Sequence, residues 1–166
     1  MENLFVFLAT SLALRIASPR FRRYTFFPGC SALLNSGSRT LHIRQTKDGD
    51  KLFFNEHQEN GITYGLVCAQ MREEHNLEDA EQILVNFINR SRKPLKIFCN
   101  AAMEVEESNG LLTITDYWQD KTGTDWKVKG FTNGRIVSLL YVKNVTATTV
   151  KTHDTFLNGF RFSALR

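Results

Sequence analysis

The sequence has few cysteines and no long apolar run, and these absences exclude several classes of protein. Its three cysteines are Cys30, Cys68 and Cys99. They form no CxxC pair and have no histidine at metal-ligand spacing, so no zinc motif is predicted. No stretch of eighteen apolar residues occurs, so no transmembrane helix is predicted. The 166 residues are 42% hydrophobic, enough to bury the core of one domain.

The net charge of +4 is unevenly distributed along the chain. Residues 1–47 contain seven basic residues and one acid, whereas residues 48–166 contain fourteen basic and sixteen acidic residues and carry a net charge of −2. A nucleic-acid-binding domain needs a basic surface to neutralise phosphates. The charge distribution therefore predicts no nucleic-acid partner for residues 48–166.

Residues 1–47 are interpreted as a leader or a disordered basic segment, and residues 48–166 as a single domain. Residues 4–14 are apolar and are followed by arginines, whereas a secretory signal carries its charge before the apolar run. An import presequence would be Arg- and Ser-rich, as this segment is, but more amphipathic. Export, organelle import and a cytoplasmic protein with a mis-assigned start stay open as alternatives, and the compartment is not predicted.

An amphipathic helix is the clearest pattern in the chain. Asn76 is a typical N-cap residue, acidic residues occupy the first turn, and Pro94 ends the pattern. Apolar residues between them have the spacing of one helical face: Leu77, Ala80, Ile83, Leu84, Phe87 and Ile88. This pattern predicts a helix that packs on a sheet.

Strands are predicted on both sides of this helix. Residues 52–54 and 62–71 precede it, with a loop between them. After Pro94 the apolar period changes from 3.6 to 2, which is typical of strands; they are predicted at about 95–106, 111–119, 126–132 and 135–142. Cys99 and Val105 are expected on the buried face of the first, and Asn133-Gly134 is expected to form a type I′ turn.

The predicted fold class is α+β. It is an antiparallel β-meander sheet packed by one long amphipathic helix and by a shorter C-terminal helix at about residues 147–158. Consecutive strands joined by tight turns lie antiparallel, and one helix can cover the apolar face of the sheet they form.

This layout resembles the α/β/α sandwich of the Mog1/PsbP-like superfamily, which includes the DcrB-type bacterial proteins, over about residues 51–163. The string WKVKGF at 126–131, the Asn133-Gly134 turn and IVSLLY at 136–141 are similar to its last hairpin. The string FLNGFRF at 156–162 is similar to its closing helix and aromatic end. The resemblance implies a non-catalytic accessory or protein-binding domain with a protein partner, and it implies no cofactor and no residue role.

A helix followed by a curved antiparallel sheet is also the plan of cystatin-like and NTF2-like folds. That alternative implies a small ligand-binding or enzymatic domain with a pocket between helix and sheet. Whether the chain is an enzyme stays open, with a non-catalytic role favoured. Neither partner identity nor oligomeric state is predicted.

Candidate catalytic and metal-binding motifs have simpler structural explanations. The string DKTGT at 120–124 matches the phosphorylation motif of P-type ATPases, but it follows an alternating strand, so a turn is predicted. Asp116, Asp120 and Asp125 lack the spacing of a calcium loop. Cys68 and Cys99 lie among apolar strand residues, where free buried thiols are favoured over a disulfide. No catalytic residue, cofactor or metal site is predicted.

Tyr117, Trp118 and Trp126 lie on one predicted hairpin and are the candidate partner contacts. Cross-strand packing would place such residues in the core, whereas an exposed aromatic residue would suit contact with a protein. Because neighbouring strand residues face opposite sides, Tyr117 and Trp118 cannot both be in the core.

Overall fold

A computed structural model describes residues 19–36, 42–100, 103–145 and 150–163 of the chain. These described residues form two helices, α1 (Leu77–Arg92) and α2 (Val150–Leu157). Neither has the length and apolar character needed to cross a membrane. The strands are β1 (Phe21–Phe27), β2 (Cys30–Asn35), β3 (His42–Gln45), β4 (Lys51–Glu59), β5 (Ile62–Gln70), β6 (Ile97–Asn100), β7 (Glu104–Ser108), β8 (Leu111–Asp120), β9 (Asp125–Thr132), β10 (Ile136–Lys143) and β11 (Arg161–Phe162).

Most strands belong to one large antiparallel sheet with the order β3-β4-β5-β10-β9-β8-β6, and β7 also pairs with β8. The predicted meander is confirmed, because β8, β9 and β10 pair with one another in sequence order. The single strand expected at 95–106 is instead β6 and β7, which pair with different parts of β8.

Helix α1 begins and packs as the sequence predicts. The Asn76 side chain accepts a hydrogen bond from the backbone N–H of Asp79 at 2.8 Å, which caps the helix. Its buried face, with Ala80, Leu84 and Ile88 fully inaccessible, lies across β8, β9 and β10. The predicted α+β arrangement of a meander covered by one helix is therefore confirmed.

A second, smaller sheet with the order β1-β2-β11 covers the opposite face of the large sheet together with α2. Phe27, Cys30 and Leu34 from this sheet are buried against residues of β4 and β5 such as Phe53. The C-terminal helix is confirmed within its described part, α2, whose Phe156 and Leu157 join the same core.

The expected domain boundary between residues 47 and 48 does not match the structure. Strands β1, β2 and β3 precede it, and β1 and β2 contribute directly to the core. This segment has the basic composition of a leader because exposed positions of β1 hold arginines, Arg22 and Arg23. Phe27 of the same strand is buried in the core. Residues 1–18, with the apolar stretch interpreted as a leader, lie outside the described residues.

The two covering layers lie over different halves of the large sheet. Helix α1 packs over β8, β9 and β10, whereas the small sheet and α2 pack over β4, β5 and β10 on the other face. Strands β5 and β10 contribute to both cores. Each face therefore keeps one exposed half: Phe54 of β4 is 40% exposed on the α1 side, and Tyr117 of β8 is 43% exposed on the opposite side.

Three local expectations are corrected by the structure. Cys99 and Val105 are exposed, because among the described residues neither α1 nor the small sheet covers them. Asn133-Gly134 forms no type I′ turn, because only Gly134 has a positive φ and the Asn133 side chain accepts hydrogen bonds from two following N–H groups. Positive φ at both residues, typical of type I′, occurs at Asn60-Gly61, where a loop was expected, and at Asn109-Gly110.

Two glycines on the α1 side allow tight packing, and we expect alanine to affect them differently. A methyl group at Gly65 would overlap the ring of Tyr141, whereas at Gly130 it would lie 2.9 Å from the terminal carbon of Ile88. A buried ring cannot move as the end of an isoleucine can, so Gly65→Ala should lower the free energy of unfolding by about 3 kcal/mol and Gly130→Ala by about 1 kcal/mol. Urea denaturation measures both, and equal losses would contradict the packing described.

Candidate functional site

The exposed half of the sheet opposite α1 forms a patch that we call the tyrosine face. Tyr117, Thr115 and Lys127 lie at its centre, and Glu104 and Glu106 along one side. Lys129 lies along the other side with Asp154 of α2 and Asn158, the residue that follows α2. Part of the patch is a cleft of about 240 Å³ between the sheet and α2. The alternation of β8 places Tyr117 here because Asp116 and Trp118 face α1.

Two lysines of β9 join this face to α2 and to Asn158, the residue that follows it. The Lys127 Nζ lies 2.9 Å from Asp154 Oδ1, and the Lys129 Nζ donates to Asn158 Oδ1 at 2.6 Å. The Lys127 ammonium also lies 5.8 Å from the centre of the Tyr117 ring, within the range of a cation–π contact. The hydrogen bond to Asp154 raises the pKa of Lys127. Lys127 therefore remains a cation beside the tyrosine ring.

Strand β7 adds an acidic side to the tyrosine face. Glu104 and Glu106 lie opposite Thr115 and Thr113 in the strand register, so their side chains leave the sheet on the same side as Tyr117. Both are exposed, and none of the ion pairs that the structure describes involves either of them. Their charges are available to a molecule that approaches Tyr117.

Trp118 and Trp126 are not on this surface. They are 2% and 5% exposed and lie opposite each other in the core beneath α1. Their expected role as contacts is therefore corrected: among the three aromatic residues, only Tyr117 can meet a partner through its side chain. Lys127 and Lys129 are not among the residues predicted for the site, although their alternation with Trp126 and Val128 indicates one buried and one accessible face.

Buried carboxylates accept the indole hydrogens of both tryptophans. Trp118 Nε1 donates to Asp116 Oδ2 at 2.6 Å, and Arg92 at the end of α1 forms a 2.9 Å ion pair with the same oxygen. The Arg92 guanidinium also lies over the Trp118 ring. This arrangement fastens the C-terminal end of α1 to β8, which is a structural role.

The DKTGT string forms a turn, as predicted, with Asp120 at its centre. Oδ1 of Asp120 accepts hydrogen bonds from the N–H groups of Thr122 and Thr124 and from the Thr122 hydroxyl, while Oδ2 accepts from Trp126 and lies 3.2 Å from the Lys143 Nζ. Burial raises the pKa of the Asp120 carboxyl, but these donors outweigh it and hold the pKa well below its usual range. Because both oxygens of Asp120 have partners, this carboxylate stabilises the turn.

A second surface feature, which we call the helix groove, lies between α1 and the β4–β5 half of the sheet. Its volume is about 500 Å³. Apolar walls come from Leu52, Met71, Ile83 and Phe87. The charged residues Asp48, Asp50 and Arg90 also line it. The groove lies where the NTF2-like alternative expects a pocket, although the fold places the small sheet and α2 on the other face.

We expect Asp120→Ala to lower the free energy of unfolding by about 2–4 kcal/mol at pH 7, because the buried donors of Trp126 and Thr122 lose their acceptor. The lowered pKa means that the carboxylate stabilises the fold above about pH 4 and that this contribution is lost as the pH falls through the folded-state pKa. The difference between wild type and variant should therefore shrink below pH 4.

Urea denaturation at pH 7 and at lower pH measures this difference. Asp125→Ala is the matched control, because Asp125 is exposed and its side chain accepts one described hydrogen bond, from Gln119. Its effect should stay below about 0.5 kcal/mol. A large loss in the control, or a difference for Asp120→Ala that does not change with pH, would contradict the analysis.

Comparison with known proteins gives a likeness in structure but none in sequence. No protein-family model and no curated protein matches the sequence. Among solved structures, the chain is similar to the solution structure of cyanobacterial PsbP (CyanoP) from Synechocystis sp. PCC 6803, with a TM-score of 0.54 and 15% identity over 90% of this chain and 95% of that one. The chain has a Mog1/PsbP-like fold.

The likeness to PsbP extends beyond the part of the sequence in which it was expected. A match over 90% of the chain is longer than residues 51–163, so it includes residues before β4. This extent agrees with the small sheet being part of the Mog1/PsbP-like fold. At 15% identity the likeness concerns the fold alone.

Proposed function

We propose that this chain is a non-catalytic accessory domain that binds a protein partner through the tyrosine face. The PsbP-like fold supports the accessory role, since proteins of this superfamily are largely non-catalytic and bind a protein or an assembly. The observation that carries the choice of surface is Tyr117, which is 43% exposed on a half of the sheet that α2 borders but does not cover.

Tyr117 has the properties of an interface anchor. Tyrosine buries a large area with few rotatable bonds, and it is enriched among the residues that dominate binding energy. The Lys127 ammonium contacts the ring and is itself held by Asp154. Because the ring is supported before a partner arrives, less conformational entropy is lost on binding.

The charges around Tyr117 define the chemistry of the partner. Glu104 and Glu106 are exposed on one side of the ring, whereas Lys127 and Lys129 already have partners in Asp154 of α2 and in Asn158. The available charge is therefore negative. A matching protein surface has an apolar pocket for the tyrosine ring beside basic side chains for the two glutamates, an arrangement that favours association at low salt.

We expect Tyr117→Ala to weaken partner binding about 30-fold, the effect of removing a 2 kcal/mol anchor, while leaving the thermal midpoint almost unchanged. The matched control is Phe54→Ala, which removes a similarly exposed aromatic residue from the other face. Immobilised wild type, Tyr117→Ala and Phe54→Ala would each be incubated with an extract of the source organism, and retained proteins would be quantified by mass spectrometry.

The supporting result is a protein retained by wild type and by Phe54→Ala but depleted with Tyr117→Ala. Titration of that purified protein would then give the 30-fold change, together with weaker binding for Glu104→Lys/Glu106→Lys and at higher salt. Equal retention by all three chains, or a loss with Phe54→Ala alone, would reject the tyrosine face.

The helix groove supports a second candidate function, the binding of a small apolar ligand. Its volume of about 500 Å³ is in the range of ligand pockets, and apolar side chains form part of its walls, as they do in such pockets. Leu52→Trp would fill the groove without touching the tyrosine face. Ligand-induced thermal stabilisation that is present in wild type and in Tyr117→Ala but lost in Leu52→Trp would favour this candidate over the first.

A further inference from the structure

The large sheet ends in two exposed edge strands of different charge. Strand β3 lies at one end of the strand order, β7 pairs with β8 at the other, and among the described residues no strand pairs with the outer side of either. We call them the basic edge (His42–Gln45), which has no acid, and the acidic edge (Glu104–Ser108), which has three glutamates and no base. Every residue of both is exposed, and none of the described ion pairs uses their side chains.

On the basic edge, the main chain of Ile43 points outward. The Thr46 N–H donates to the Asp50 carbonyl at 2.8 Å, which continues the register of β3 with β4. Residues of an antiparallel strand alternately bond to the neighbour and point away from it, so Ile43, three residues before Thr46, points its N–H and C=O groups away from β4. Arg44 lies opposite Leu52, which packs against the core beneath α1. The Arg44 side chain therefore leaves the sheet on the α1 side and that of Ile43 on the other.

On the acidic edge, the main chain of Val105 points outward. The two-residue Asn109-Gly110 turn follows Ser108, so Ser108 bonds to β8 and Val105, three residues earlier, points away from it. Val105 lies opposite Ile114, which is buried beneath α1, so its side chain leaves the sheet on the α1 side. The two glutamates of the tyrosine face leave on the opposite side. The charged and apolar side chains of this edge are thus arranged in reverse to those of the basic edge.

We propose that copies of this chain associate end to end, with the basic edge of one copy pairing antiparallel to the acidic edge of the next. Six antiparallel pairings, β3–β4, β4–β5, β5–β10, β10–β9, β9–β8 and β8–β7, separate the two edges, so both run in the same direction. Antiparallel pairing therefore requires that the second copy is turned over by a half-turn about the axis that crosses the strands. This places the α1 side of its basic edge level with the tyrosine face of the first copy.

This half-turn matches the two edges in charge, in apolar contact and in main-chain hydrogen bonding. When Ile43 lies opposite Val105, their outward main-chain groups exchange hydrogen bonds. Their side chains, 56% and 47% exposed in the single chain, then cover each other on one side. The residues beside them form non-hydrogen-bonded pairs, whose side chains come closest: Arg44 with Glu104 and His42 with Glu106.

Other pairings of these edges lose the match. Parallel pairing, without the half-turn, would place the basic side chains beside Val105 and would place Ile43 beside the glutamates. Two acidic edges would bring like charges together, which destabilises a strand pair. Each copy also keeps one free edge of each kind, so the contact is heterologous and can repeat. Because both edges are short, the association should be weak, with a dissociation constant of about 0.1–1 mM.

Sedimentation velocity of the full chain at concentrations from about 10 μM to about 1 mM tests the proposal. We expect the average mass of wild type to rise with concentration and to rise less at high salt, which screens the charged pairs. Arg44→Glu and Glu104→Arg each place like charges at the contact, so each should weaken association about 10-fold. Both residues are exposed, so the thermal midpoints should not change.

An equimolar mixture of Arg44→Glu and Glu104→Arg shows whether the two edges meet each other. Every contact between unlike variants pairs opposite charges, so the mixture should recover the association of wild type. A separate structural role of either residue would not give this recovery. The matched control is Glu81→Arg, which makes the same charge change at an exposed position of α1 and should associate as wild type does.

The proposal would be overturned by a wild type that stays monomeric over this range, by variants that associate as wild type does, or by a mixture that associates no better than its components. Val105→Pro removes the outward N–H and should also abolish association; the charge variants keep the test valid if it fails to fold. Tyr117→Ala should leave association unchanged, so failure of the end-to-end contact can be distinguished from failure of the tyrosine face.

Discussion

The pairing of β5 with β10 is the interaction on which the rest of the structure depends. These two strands lie side by side over eight residue pairs and contribute side chains to both cores. Leu139 and Tyr141 of β10 face α1, while Leu140 and Val142 face the small sheet. Gly65 of β5 leaves the space that the Tyr141 ring fills, and the Tyr141 hydroxyl donates to Glu56 of β4. A change in this strand pair therefore affects both layers at once.

Features determined by neighbouring residues could be predicted from the sequence. Helix α1 has its cap at Asn76, its stop at Pro94 and its apolar face between them, all within twenty residues. The meander follows for the same reason, because its strands are adjacent in sequence and joined by short turns. To predict that Tyr117 and Trp118 face opposite sides, only the two-residue period of a β-strand was needed.

Features that depend on contacts between residues far apart in the sequence were not predicted. Strand β2 pairs with β11, which lies at the other end of the chain, and no local pattern around Cys30 or Arg161 indicates that contact. The sequence predicts a loop in the second half of β4 because its residues are polar. In the structure the strand continues, and Asn55 is buried beneath the small sheet. For the candidate site, alternation separated Tyr117 from Trp118, but only the position of α1 decides which of them is accessible.

The offset between the two covering layers links the fold to its proposed use. A helix and a small sheet that lay over the same strands would leave the remaining strands bare on both faces. Because they lie over different halves, the central strands are covered on both faces and each face keeps one uncovered half. These two uncovered halves differ in polarity. The tyrosine face is polar and acidic around one aromatic ring, whereas the helix groove has a larger apolar share in its lining.

The connection between β5 and α1 illustrates how this fold can tolerate divergence at 15% identity. The N–H groups of Met71 and His75 donate to the carbonyls of Arg135 and Gly134 in the β9–β10 loop, so main-chain atoms hold the start of the helix. Gly134 is constrained, because a side chain there would collide with the His75 carbonyl. The side chains of residues 72–74 are not used in these two bonds. Side-chain changes at residues 72–74 therefore leave these two bonds intact, whereas the placement of the helix depends on a glycine at position 134.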